Sequence, residues 1–397
     1  MTETSTGRPA ILGGKPAFEQ LVPIVRPTLP RFEDLSEELA EIVGSGMVTR
    51  GQQLRKFEAA AAEHLRVKHA VAVSSCTSGL MLAYRALGLT GEIVAPSFTF
   101  MATVSAAVWA GLRPVLVDVD RGTHNIDPTA AEGAITPTTS AIVAVHNFGN
   151  PAAIARLEEI AKRRGIKLIF DAAHGFGALY QGVPVGPQGD AQVYSLSPTK
   201  LVVAGEGGIV ATNSDAVAEK IRCGREYGMG AGYDSLFAGI NARMSEFHAC
   251  LGRHSLARLE YSARHRQEIV GVFRRELGKL PGVGFQEVQS GNRCSYKDFS
   301  LTVDCELFGL TRDELAKALA AENIDNRKYY DPPVHRQTAY RQFAPAEGSL
   351  PNTEWLSAAS LSIPLWSHMT EDVALRICRA CERIQASASD IRKKLAN

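Results

Sequence analysis

The stretch "SLSPTKLVVAGEGGIV", residues 195–210, sets one lysine between a Ser-Pro-Thr turn and a glycine-rich apolar run. That is a poor setting for a solvated cation. Burial lowers the pKa of a lysine and frees its amine to act as a nucleophile. Taken alone, Lys200 reads first as one more surface lysine, because lysine is rarely buried. A carboxylate stands one strand earlier: Asp171 ends the apolar run "KLIFD" and is followed by Ala-Ala-His-Gly. A lone aspartate there reads as a helix cap or turn residue. A metal is disfavoured, because no second carboxylate or paired histidine lies at ligand spacing around it.

Read as a pair, Asp171 and Lys200 meet the chemical demand of pyridoxal phosphate. The lysine can form a Schiff base with the cofactor. The aspartate can hold the pyridine nitrogen protonated, so that the ring accepts electrons. The cofactor also needs an anion site. "SSCTSG" (74–79) joins a strand-like run to a helix-like one, which puts N–H groups and hydroxyls at a helix N-terminus, where phosphate is favoured. A plain helix cap accounts for the same segment equally well. Ser195 offers a further hydroxyl beside Lys200. A flat ring needs a stacking partner too, and Phe98 and Phe100 of "APSFTF" share one face by two-residue alternation. Phe98 reads as core.

The elements that position these residues are legible as alternation. From about Phe57 to Val210, short Val- and Ile-rich runs such as "AVAVSS", "EIVAPSFTF", "PVLVDVD", "SAIVAVHNFG" and "KLIFDAAHG" alternate with helical patterns. Fully apolar strands separated by amphipathic helices predict an α/β fold with a mostly parallel central sheet flanked by helices. Ligands bind such sheets at the carboxyl ends of the strands. Asp118, His146, Asp171 and the Ser195–Lys200 turn all fall there. Beyond Arg243 a long helical stretch leads into a smaller α+β segment containing "SYKDFSLTVDC". The division is expected near residue 265: a large cofactor-binding domain over 1–265, including the N-terminal segment, and a small C-terminal α+β domain over 266–397.

At 397 residues the chain can bury a large core in two or three domains. Lys+Arg 43 against Asp+Glu 42 leaves a net charge of +1, which argues against a nucleic-acid or membrane-surface protein. No apolar run is long enough to span a bilayer, and the start "MTETSTGRPAILGG" has no signal-peptide pattern. Seven scattered cysteines make no disulfide framework, and Cys378 and Cys381 read as two thiols one helical turn apart. The expected setting is the reduced cytoplasm.

In this order, "SSCTSGLMLAYRAL", "VAPSFTFMAT", "PVLVDVD", "FDAAHGFGA", "SLSPTK", "GEGG" and "INARMSEFHACLG" resemble the nucleotide-sugar aminotransferases of the DegT/StrS type. These are pyridoxal-phosphate enzymes of the aspartate-aminotransferase fold (fold type I). The resemblance runs from about residue 15 to "YYDPPVHRQTAY" (329–340) and "LSIPLW" (361–366). It implies that Lys200 carries the cofactor, that Asp171 meets the pyridine nitrogen, and that His174 lies near the phenolic oxygen. Phe100 and Ala173 would cover the two ring faces, and Cys76, Thr77 and Ser195 would hold the phosphate. Asn241 matches an asparagine given to the neighbouring subunit's phosphate, so a homodimer with shared sites is implied. Two departures stand out: "GINAR" replaces an aromatic-containing segment, and "SCTSG" replaces a glycine-containing turn.

The activity implied is a two-half transamination. It takes nitrogen from L-glutamate or L-glutamine and delivers it to a nucleotide-linked keto-sugar, with a thymidine-diphosphate 4-keto-6-deoxyhexose expected from the resemblance alone. Deoxyamino-sugar and antibiotic biosynthesis would be its setting. Arg222, Arg225, Arg327, Lys328 and His335 are the cationic or polar candidates for the sugar's diphosphate, although each read singly is a solvated surface charge. Three alternatives stay open from the sequence. The same family contains 3-keto-sugar aminotransferases, and dehydratases or aminoaromatic synthases. A regulatory or sensory protein could also keep the fold without turnover. Intact Lys200, Asp171 and His174 speak against the last.

Overall fold

The computed structural model describes residues 7–230 and 232–396. Five strands come first: β1 (His69–Val73), β2 (Glu92–Pro96), β3 (Arg113–Val117), β4 (Thr139–Val145) and β5 (Lys167–Asp171). A small hairpin, β6 (Leu179–Tyr180) with β7 (Val183–Pro184), precedes β8 (Ala191–Ser195) and β9 (Gly208–Thr212). The main sheet has seven strands in the order β1-β9-β8-β5-β4-β2-β3. Strands β3, β2, β4, β5 and β8 pair in parallel, while β9 runs against both β8 and β1. The sheet is therefore mixed, with one reversed strand in an otherwise parallel array.

Both faces of this sheet are covered, which is why its strands are apolar throughout. In β4, Ala141 and Val143 pack under the helices Cys76–Ala86 and Ala102–Trp109, while Ile142 and Ala144 pack under Ile154–Arg164 on the other face. A close approach occurs at Gly79, where a Cβ would lie 2.8 Å from Val193 Cγ1. Only a glycine lets that helix settle onto the middle of the sheet and bring its N-terminus to the strand ends.

A second sheet, β10 (Val283–Phe285), β11 (Phe299–Val303) and β12 (Ser360–Ile363), is antiparallel. Its core extends from Ile269 to Ile391 and also takes in Phe18 and Val22. The helix Leu259–Leu277 joins two hydrophobic cores: Leu259 and Ala263 pack with the main sheet, Ile269 and Phe273 with the second. Cys378 and Cys381 lie buried in the helix Glu371–Ala386, and no described cysteine is paired. Among the described residues no helix is long and apolar enough to cross a membrane.

Candidate active site

A cavity of about 410 Å³ opens at the carboxyl ends of β5 and β8, with Asp171, His174 and Lys200 in its wall. These strands are neighbours, with Asp171 opposite Val193, so the sheet register brings the aspartate beside the turn that carries the lysine. That turn is closed by the Lys200 N–H donating to the Ser197 carbonyl at 3.0 Å. It is anchored where the Ala204 N–H reaches Leu196 and the Val203 N–H reaches Ser255 Oγ, each at 2.9 Å. Lys200 is half-buried. Burial, with Lys297 nearby, brings its ammonium down to about 8 from the ordinary 10.5, against the opposing pull of Asp298, Cys76 and Asp171.

Asp171 is 4% exposed. Its Oδ2 accepts from Thr103 Oγ1 at 2.7 Å, and its Oδ1 from the Ala173 N–H at 3.1 Å and the Cys76 thiol at 3.8 Å. Burial pushes this carboxyl up from its ordinary value, and the donors and the Lys200 charge oppose that rise. Burial beside Asp171 also keeps the Cys76 thiol protonated, so the sulfur is a donor here and not a nucleophile. His174 is held well below its ordinary value, first by burial and then by Lys200 and Lys297, so its ring is neutral. Its buried Nδ1 has no partner.

Ser75 caps the helix Cys76–Ala86 by accepting from the Ser78 N–H at 3.1 Å, in a capping box with Ser78. The first N–H groups of the helix, on Cys76 and Thr77, have no intrahelical partner, and both residues line the cavity. The cap reading of "SSCTSG" therefore holds. Gly208 has its own reason here: a Cβ on it would lie 2.7 Å from the Ser75 carbonyl carbon, so β9 could not start against this loop with any other residue. Ser195 and Ala173 also line the cavity. Phe100 stands at its edge, 52% exposed, whereas Phe98 is fully buried against Phe148 and Tyr330.

These residues fit pyridoxal phosphate on the structure's own terms. A desolvated lysine faces a buried carboxylate, an anion-ready helix N-terminus lies at the rim, an aromatic ring is free to stack, and one buried imidazole nitrogen lacks a partner.

The other candidates lie elsewhere. Asn241 is exposed and bridges Glu226 outside the cavity. Arg225 is paired inside its own unit with Glu58 and the Ala72 carbonyl, both at 2.6 Å. Arg222 faces His69 at 3.5 Å, and Lys328 pairs with Asp313 at 2.7 Å. Arg327 pairs with Asp325, and His335 sits between Ser97 and Glu354, 2.7 Å from each. None of the five lines the cavity. Asp118 and His146, also at strand ends, have structural partners. Asp118 accepts from the Asn352 and Thr353 N–H groups, and His146 stacks on Phe170 at 4.8 Å.

Sequence reasoning missed Thr103, Lys297, Asp298, Tyr329 and Tyr330, of which the last four line the cavity. Thr103 carries no local signal; it meets Asp171 only through the packing of its helix. The other four sit in segments noted for different reasons. A Lys-Asp pair leading into an apolar strand, "SYKDFSLTV", was the available sign.

A mixed sheet covered on both faces, with this cavity at its strand ends, matches the fold of solved pyridoxal-phosphate-dependent sugar aminotransferases. Residues 32–382 match the DegT/DnrJ/EryC1/StrS aminotransferase family, and the chain belongs to it. The solved structure of DesI, in the presence of its TDP-sugar product, is 36% identical with a TM-score of 0.90, covering 98% of each chain. DesV of S. venezuelae, solved with a ketimine intermediate, is 32% identical with a TM-score of 0.85, covering 93% of this chain and 99% of its own. The spore coat polysaccharide biosynthesis protein SpsC of Bacillus subtilis is 32% identical over 351 residues, 85% of this chain and 90% of that protein.

Proposed function

We propose that this aminotransferase moves nitrogen from L-glutamate or L-glutamine to the ketone of a nucleotide-linked sugar, a thymidine-diphosphate 4-keto-6-deoxyhexose aminated at C4. The observation that carries the reading is the meeting of Lys200, Asp171 and the Ser75–Thr77 helix terminus in one cavity. Support for the sugar comes from DesI, whose structure holds its TDP-sugar product and matches nearly the whole chain.

Pyridoxal phosphate, when bound, supplies the electron sink for the pair released as the donor's α C–H bond breaks. Lys200 is the proton carrier. Its neutral amine would take the proton from the donor's α-carbon and pass it to the cofactor, and in the second half-reaction it would take a proton back from the cofactor and give it to C4 of the sugar. Asp171, fixed by Thr103, Ala173 and Cys76, keeps a proton on the pyridine nitrogen. His174, uncharged, contributes a hydrogen bond near the phenolic oxygen without adding a charge. The Cys76 and Thr77 N–H groups and the Ser195 hydroxyl would receive the phosphate. Phe100 would stack on one face of the ring and Ala173 would close the other. In a homodimer, Asn241 reaches the partner's phosphate, which fits its exposure outside the cavity of its own chain. A reduced cytoplasmic setting fits seven cysteines that are all free.

The test is incubation with glutamate and the 4-keto and 3-keto thymidine-diphosphate sugars side by side, with products read by mass and NMR. Amination at C4 is expected. Amination of the 3-keto sugar alone, or dehydration without nitrogen gain, overturns the substrate assignment.

A further inference from the structure

The wall opposite Asp171 carries a charge that the proton chemistry leaves unused. Lys297 is 7% exposed and its Nζ lies 2.8 and 2.9 Å from the two oxygens of Asp298. Taking both charges out of water is costly, and a buried ion pair repays that cost poorly as a stabilising device. The surrounding structure nevertheless holds it firmly. Arg266, 1% exposed, donates to the Tyr296 carbonyl at 2.7 Å and the Lys297 carbonyl at 3.0 Å, and the Lys297 N–H donates to Phe148 at 3.0 Å. Tyr296 adopts the left-handed region, φ 49, so the chain turns just before the pair. Successive residues of an extended chain point to opposite faces, yet here Lys297 and Asp298 both line the cavity.

We propose that Lys297 is the receptor for the α-carboxylate of the amino-acid donor, with Asp298 as the counter-charge that positions it. This rests on the reading that nitrogen comes from an amino acid. Lys200 and Lys297 are the two lysines of the cavity, which has no arginine among its described lining, and His174 is neutral. Lys200 is committed to proton transfer, so within this chain's lining Lys297 is the cation placed to meet an arriving anion. An ammonium has three donor hydrogens, and its recorded acceptors are the two oxygens of one carboxylate. Reach selects the α-carboxylate over a sugar diphosphate. The α-carboxylate is bonded directly to the carbon that gives its proton to Lys200, whereas a diphosphate lies a hexose ring away from the reacting ketone. Lys297 is close enough to Lys200 to be the strongest charge acting on its amine.

The experiment measures binding to the holoenzyme by calorimetry, for glutarate and for thymidine diphosphate, in wild type, Lys297→Arg and the doubly neutral Lys297→Met/Asp298→Asn. The double variant avoids leaving a lone buried charge, and retained cofactor colour and melting temperature report its fold. Glutarate binding should weaken at least about tenfold in the double variant and much less in Lys297→Arg, with thymidine diphosphate unchanged. The wild-type preference for L-glutamate over its α-amide, isoglutamine, should disappear with it. Unchanged glutarate binding in a folded double variant overturns the proposal, as does selective loss of thymidine diphosphate binding. If the wild type takes nitrogen from another amino acid, the glutamate reading fails in wild type itself, and the des-amino analogue of that donor replaces glutarate in the same comparison.

Discussion

The two walls of the cavity are built differently. The main-sheet wall, with Asp171 and Lys200, is assembled from adjacent strand ends, so local sequence pattern places its residues. The facing wall, with Lys297, Asp298 and Tyr329, comes from the segments after the long helix, and Arg266, Phe148 and a left-handed Tyr296 set its shape. The first kind of placement follows from strand topology. The second depends on how two units pack, and no periodicity reports that. On the proposals above, the chemistry of bond breaking sits on the first wall and the second recognises what arrives.

If that division holds, damage to the first wall should abolish turnover, and damage to the second should change affinity. The largest effect expected is from Lys200→Ala. Removing the proton carrier should cost about four powers of ten or more in kcat, measured in single-turnover assays with and without added amines. Asp171→Asn comes next. Loss of about 4 kcal/mol of transition-state stabilisation corresponds to about a thousandfold in rate, with cofactor still bound by absorbance. A near-wild-type rate would make Asp171 a structural cap after all. Thr103→Val should cost about ten- to a hundredfold, since a hydrogen bond to a charged group contributes about 1.5–3 kcal/mol. Thr103→Ser should restore the rate, whereas a packing role would not be rescued by the hydroxyl.

The smallest effect is a pH dependence. Charged and titratable groups acting on Lys200 are Lys297, Asp298, Cys76 and Asp171. Its amine is reactive only when neutral, and its pKa is depressed to about 8. Cofactor uptake by the apoprotein should therefore accelerate as pH rises through about 8 and level off above it. An ordinary lysine would go on gaining to beyond pH 10. Lys297→Met should move the inflection upward, because the opposing charge of Asp298 remains.

The sheet was legible because strands buried on both faces are apolar throughout, and the strand-end rule then pointed to Asp171 and Lys200. The reversed direction of β9 was not, since parallel and antiparallel strands at the centre of a covered sheet have the same composition. The partners of the cations were not legible for a related reason. Sequence gives the charge of Arg225 or His335 but not its partner, and Glu58, Ser97 and Glu354 come from distant segments. Thr103 illustrates the same limit, 2.7 Å from Asp171 across two separate elements.

The central claim is that Lys200 bonds the cofactor. The most direct measurement is borohydride reduction of the yellow holoenzyme followed by peptide mapping of the fixed label. A single labelled peptide containing Lys200 is expected. Label on Lys297, on any other lysine, or on none would contradict the account.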